Sequence, residues 1–113
     1  MVAFNFKNIH APTILSGIKF ASIRPTRRCK PGDKLQLYTG LRTRKAKLLK
    51  VTECVSVQPI QIYGDRIEGM EMEIDEFLTM EGYEGKTEEE FIAFFDRQYG
   101  LPFKGYLVVW RDI

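Results

Sequence analysis

The sequence predicts an α+β domain of about six strands with two or three helices, and three observations predict it. Short runs of alternating or β-branched residues recur between Gly and Pro punctuation, as at residues 2–7, 34–39, 46–57 and 103–110. One segment, residues 87–99, carries helical spacing with a capping signal at its start. The chain has 113 residues, 44% of them hydrophobic, enough for one packed core and too few for two. One domain over residues 1–113, built on a mostly antiparallel sheet or small barrel, is the expectation.

The elements follow in order. Val2 to Lys7 alternates apolar and polar residues and reads as a strand. Ala11 to Ser16 reads as a helix, with Pro12 in its first turn and Gly17 where a left-handed cap belongs. Lys19 to Arg24 reads as extended, because Pro25 pushes the residue before it out of the helical region. Pro25 to Asp33 is loop, and Pro31-Gly32-Asp33 turns the chain into a strand over Lys34 to Thr39. Gly40 to Lys45 is a basic turn.

Ala46 to Val57 reads as a longer strand that Pro59 breaks, with a separate short strand over Ile60 to Tyr63 and a turn at Gly64-Asp65. Met70, Met72 and Ile74 alternate with Glu71, Glu73 and Asp75, which predicts a strand with one acidic face. Ile74 to Met80 fits a short helix. Thr87 and Glu90 form a capping box for a helix to Tyr99, with Phe91, Phe94 and Phe95 on one stripe and Gly100 at its end. Phe103 to Trp110 reads as a buried central strand.

The formal net charge is only +2, yet the signs are segregated. Residues 1–50 hold twelve Lys and Arg against Asp33 alone, whereas residues 51–113 hold five against 14 acidic residues. Basic residues gathered on one face would attract phosphate; distributed, they pair with the acidic half as ordinary solvated charges. The N-terminus lacks a charged region followed by a long apolar run, so neither signal peptide nor membrane anchor is expected. Cys29 and Cys54 form no CxxC pair, so a zinc knuckle or disulfide scaffold is not expected, and a reducing cytoplasm is the expected compartment.

The segment Gly17 to Arg24 is the densest in chemical groups. In a strict strand, Phe20, Ser22 and Arg24 share one face and Lys19, Ala21 and Ile23 the other, so Lys19 and Ser22 converge only if the chain turns irregularly after the glycine. His10, the single histidine, reads as a helix-capping or surface residue. Cys29 lies among Arg27, Arg28 and Lys30, a setting that lowers a thiol pKa, but no base accompanies it. Glu71, Glu73 and Asp75 at alternate positions suit a solvated face better than a metal site. No metal or other cofactor is called for.

Gly17, Lys19 and Arg24 form G-x-K-x-x-x-x-R, and Lys30-Pro31-Gly32-Asp33-Lys34-Leu35-Gln36-Leu37-Tyr38-Thr39-Gly40 follows. Together these runs resemble the ASCH domain family, a branch of the PUA-like superfamily. The helix ending at Gly17, the Pro-Gly-Asp turn, Glu81-Gly82-Tyr83 before an acidic helix and the closing strand at Trp110 occur in the family's order over nearly the whole chain. Leu37 to Thr43 resembles the short single-domain members. The resemblance implies a small PUA-like β-barrel flanked by helices. It also implies a cleft lined by the GxKxxxxR segment that takes RNA or a modified nucleoside or nucleotide, with Arg24, Arg27, Arg28, Arg42, Arg44 and Lys45 as cations and Tyr38 or Phe20 to stack on a base.

Some short members of that family are amidohydrolases that remove the acetyl group of N4-acetylcytidine with a lysine, a threonine and a glutamate. Carried over by motif, the lysine falls on Lys19 and the threonine on Ser22, which keeps the hydroxyl nucleophile but loses the methyl that restricts its rotamers. The glutamate falls on Glu81 by local pattern, or on Glu84 by counting back from the acidic helix. In that scheme Lys19 is the base, Ser22 attacks, Glu81 positions Lys19 or the leaving amine, and Arg24 orients the base or a phosphate. A ribonuclease acting through Lys19 and Arg24 lacks a clear base for the 2′-hydroxyl.

Overall fold

The computed structural model describes residues 1–81 and 86–113. Six strands form one sheet: β1 Val2–Phe6, β2 Ala21–Arg24, β3 Lys34–Thr39, β4 Lys47–Ile62, β5 Ile67–Glu68 and β6 Phe103–Asp112. The order is β1-β3-β4-β6-β2, with β5 paired to β4. Only β1 and β3 run parallel; the other pairings are antiparallel. The sheet curls as a half-barrel. Three α-helices accompany it among the described residues: α1 Ala11–Ser16, α2 Ile74–Met80 and α3 Glu88–Tyr99, with a 3-10 turn Asn8–His10 before α1. None of them is long and apolar enough to cross a membrane.

The central strand β6 is buried on both faces. Leu107 and Val108 are neighbours in the chain and so point to opposite sides of the sheet. Leu107 joins a core with Ile60, Ile62, Phe77, Phe91 and Phe95 under α2 and α3. Val108 joins a second core with Phe4, Phe6, Ile14, Leu37 and Trp110 under α1. Phe20 packs against both.

Local signals explain the helix ends. Gly17 takes φ 86° and ends α1, a conformation that costs a residue with a Cβ. The Thr87 side chain accepts the Glu90 N–H at the start of α3, as the capping box predicts.

Two expectations are corrected. Pro59 does not break the strand, and Ile60 to Tyr63 is no separate strand, because β4 runs through to Ile62 with an irregularity between Cys54 and Ser56. Pro59 faces Tyr106 on β6, and its carbonyl points the other way, toward Gly69. The N and C=O of one strand residue share a side, so the missing proline N–H lies away from β6 and costs no ladder bond. The acidic alternation at residues 70–75 is not a strand: Met70 to Glu73 is irregular and Ile74 opens α2. With no neighbouring strand to pair, alternation alone did not make a ladder. Phe94, on one helical stripe with Phe91 and Phe95, is 36% exposed, while those two are buried.

Candidate functional site

After the left-handed Gly17, the chain stays irregular for three residues before β2 begins at Ala21. Lys19 N donates to Thr13 O at 2.9 Å, and Trp110 N donates to Phe20 O at 2.9 Å, so the segment is tied to α1 on one side and to β6 on the other. This irregularity is what lets Lys19 and Ser22 line the same cavity. The cavity has a volume of about 830 Å³ and lies between α1, the ends of β1 and β2, the end of α2 and one face of α3.

Lys19 is 2% exposed, and its Nζ donates to Glu81 Oε1 at 2.7 Å. Glu81 is the C-terminal cap of α2, where its N–H still donates to Phe77 O. Ser22 is buried on β2, and its hydroxyl bonds neither Lys19 nor another side chain among the described residues. Glu84, the alternative carboxylate, lies outside the described residues, as do Gly82 and Tyr83 of the Glu81-Gly82-Tyr83 run.

Arg24 lies across two rings of β1, with its guanidinium carbon 4.7 Å from the Phe4 and Phe6 ring centres. Its Nη2 donates to Asn5 O at 3.1 Å, and its buried Nε meets no acceptor among the described residues. Burial, with the neighbouring Arg28 cation, holds the Arg24 guanidinium below its ordinary pKa. His10 also lines the cavity. It is half-buried, and burial together with the Lys19 charge pushes its imidazole below the usual value, with Lys7 and Arg24 adding to the effect and Glu81 opposing it. His10 does hold the N-cap position of α1, as one of its two expected placements has it, but its side chain makes no cap hydrogen bond and lines the cavity instead.

Facing these polar groups is an aromatic wall from α3 and β6: Phe91, Phe94, Phe95, Tyr99 and Phe103, with Gln98 among them. The sequence places Phe91, Phe94 and Phe95 on one helical stripe without assigning that stripe to a site. The stripe continues from Phe91, Phe94 and Phe95 to Gln98 and Tyr99 at the same helical spacing, which by itself does not separate a core face from a site face.

The other predicted binding residues, Gly17, Arg27, Arg28, Tyr38, Arg42, Arg44 and Lys45, do not line the cavity. They are not all remote from it. Arg28 lies 5.4 Å from the Phe4 ring that Arg24 also covers. Asn5, a lining residue, accepts the Leu41 N–H at 2.9 Å and so fixes the basic 40–45 turn beside the rim. Of the twelve first-half cations, only Lys19 and Lys50 pair with second-half carboxylates among the described residues. General cross-pairing of the two halves is thus not what the fold does.

Cys29 is corrected as well. Burial raises its pKa despite the neighbouring Arg27 and Arg28, and its thiol lies 3.9 Å from that of Cys54. Among the described residues no group of three or more His, Cys, Asp or Glu is placed to hold a metal ion. A second hollow of about 410 Å³, between Pro25, Pro59, Gly69 and Gly105, contains none of the predicted site residues. No family model, curated protein or solved structure matches the chain.

Proposed function

We propose that this cavity is the nucleobase site of an ASCH-type domain with a PUA-like half-barrel, taking RNA or a modified nucleoside or nucleotide. The observation that carries the reading is the convergence, in one 830 Å³ cavity, of the Lys19 to Arg24 polar segment and the aromatic face of α3. A volume of this size suits a nucleoside, and a flat base gains most where one wall stacks and the other hydrogen-bonds. The basic 40–45 turn, docked through Asn5, extends the positive rim toward a phosphate backbone. Binding of a short single-stranded RNA should weaken as salt rises, because phosphate contacts release counterions. Affinity unchanged between low and moderate salt overturns the backbone part of this reading.

A second reading, hydrolysis of an N4-acylated cytosine amide, is favoured by the Lys19 and Glu81 pair, which lines the same cavity as Ser22. Moving the shared proton from Nζ onto Oε1 makes Lys19 a free amine with no net loss of charge from the pair. The amine then takes the Ser22 hydroxyl proton as Oγ attacks the acyl carbon, and returns it to the departing cytosine amine as the C–N bond breaks. Water releases the acyl group from Ser22 as the carboxylic acid by the same route. The test is chromatographic release of cytidine from N4-acetylcytidine by the wild type and by Lys19→Ala. Turnover that vanishes in the variant supports the hydrolase; turnover retained in it discards the assigned roles, and none in either leaves the binding site alone.

A further inference from the structure

The geometry points to Arg24, assisted by Lys7, as a seat for a phosphate group on the ligand of this cavity, so that the ligand is a phosphate ester and not a neutral nucleoside. The inference rests on the base-binding reading and adds the class of ligand to it.

Among the described residues three cations line the cavity, Lys7, Lys19 and Arg24, against one carboxylate, that of Glu81. Glu81 is committed to Lys19 at 2.7 Å. Lys7 and Arg24 form no ion pair among the described residues, which leaves two positive charges uncompensated. Arg24 is the unusual one. Its side chain is partly buried across the Phe4 and Phe6 rings with Nε fully enclosed, yet among the described residues it gives one hydrogen bond, to Asn5 O. Aromatic faces attract a cation but accept few of its N–H donors. A guanidinium with an enclosed, open N–H donor is costly unless an acceptor, best an anion, completes it.

The Phe4 and Phe6 rings and Asn5 O hold the guanidinium at this edge of the cavity, and its planar fork is suited to two oxygens of one anion. Arg28, across the same Phe4 ring, adds a repulsive cation that an anion would relieve. A phosphate monoester matches the two uncompensated charges, where a carboxylate would neutralise one. Lys7 is exposed and follows β1 directly, so it reaches the rim as a mobile point charge while Arg24 holds the geometry.

Calorimetric titration of the chain with cytidine, cytidine 5′-monophosphate and inorganic phosphate tests this, with Arg24→Met in parallel. The monophosphate should bind about tenfold or more tighter than cytidine, and that gap should close in Arg24→Met. Lys7→Ala, at an exposed position, should narrow it by about threefold and keeps the test open if Arg24→Met fails to fold. Equal binding of cytidine and its monophosphate overturns the phosphate seat while the base-binding reading stands. A preference that survives Arg24→Met overturns the role of Arg24. Inorganic phosphate binding at an Arg24-dependent site without any cytidine binding keeps the seat and overturns the base reading, and silence from all three ligands overturns both.

Discussion

Lys19 Nζ and Glu81 Oε1 meet at 2.7 Å although 62 positions separate the two residues. The two sides of the pair are unequally buried, 2% exposed for Lys19 and 16% for Glu81. Removing Glu81 therefore strands a buried cation, whereas removing Lys19 leaves a carboxylate that can turn toward water in the cavity. Glu81→Gln should cost about 3 kcal/mol, and Lys19→Met about 1 kcal/mol, in urea unfolding. The double variant should be more stable than Glu81→Gln alone. Equal costs for the two single variants would mean that the pair is solvated in solution.

The two thiols are buried at the junction of the 25–33 loop with β4, where Gly32 N donates to Cys54 O and Cys54 N donates to Asp33 O. Burial, reinforced by Cys29, pushes the Cys54 thiol up to about 12, and burial also raises Cys29. At pH 8 a thiol of that kind is thiolate in about one part in ten thousand, so a disulfide reagent should modify native Cys54 some three orders of magnitude more slowly than a free thiol. In denaturant both cysteines should react at once. Fast labelling of native Cys29→Ser protein, which retains only Cys54, would show that this junction opens.

Much of this architecture was legible locally, and the failures were failures of context. The capping box at Thr87, the turn at Gly32 and the left-handed stop at Gly17 act through the chain's own backbone, so composition announces them. Pro59 was misread because a proline breaks a strand only where its N–H would face a partner, and which side that is depends on tertiary register. Residues 70–75 alternate without any strand to receive them. For the site, the motif pointed to Lys19, Ser22, Arg24 and Glu81, and the fold brings all four to one cavity. His10 and the outer edge of α3 were not legible, because a lone histidine and an amphipathic stripe look alike whether they face core, solvent or ligand.

Gly69 has φ 87°, and a Cβ there would overlap the carbonyl oxygen of Pro59. Gly17 has nearly the same φ, 86°, with nothing within 4 Å of the position a Cβ would take. The two sites separate backbone strain from overlap. Gly17→Ala should cost about 1 kcal/mol from the left-handed conformation alone, and Gly69→Ala about 2 kcal/mol or more because the strand must also shift. Urea midpoints of the two variants, with unchanged m-values, check this. Gly69→Ala no costlier than Gly17→Ala would mean that β4 and the 69 turn yield freely.

His10 supplies a pH dependence whose sign is fixed by its surroundings. Burial and the Lys19 charge, with Lys7 and Arg24, lower its folded pKa below the ordinary 6.5, against the pull of Glu81. Below 6.5 the unfolded chain then takes up a proton that the folded chain does not, so stability rises with pH through that window. The contribution is fully present above 6.5, is lost as pH drops toward the depressed folded value, and levels off beneath it. Urea midpoints for wild type and His10→Gln between about pH 7.5 and 5.5 should diverge, with the wild type losing more stability on acidification than the variant. Parallel curves would place the imidazole in water instead of against the cations of the cavity.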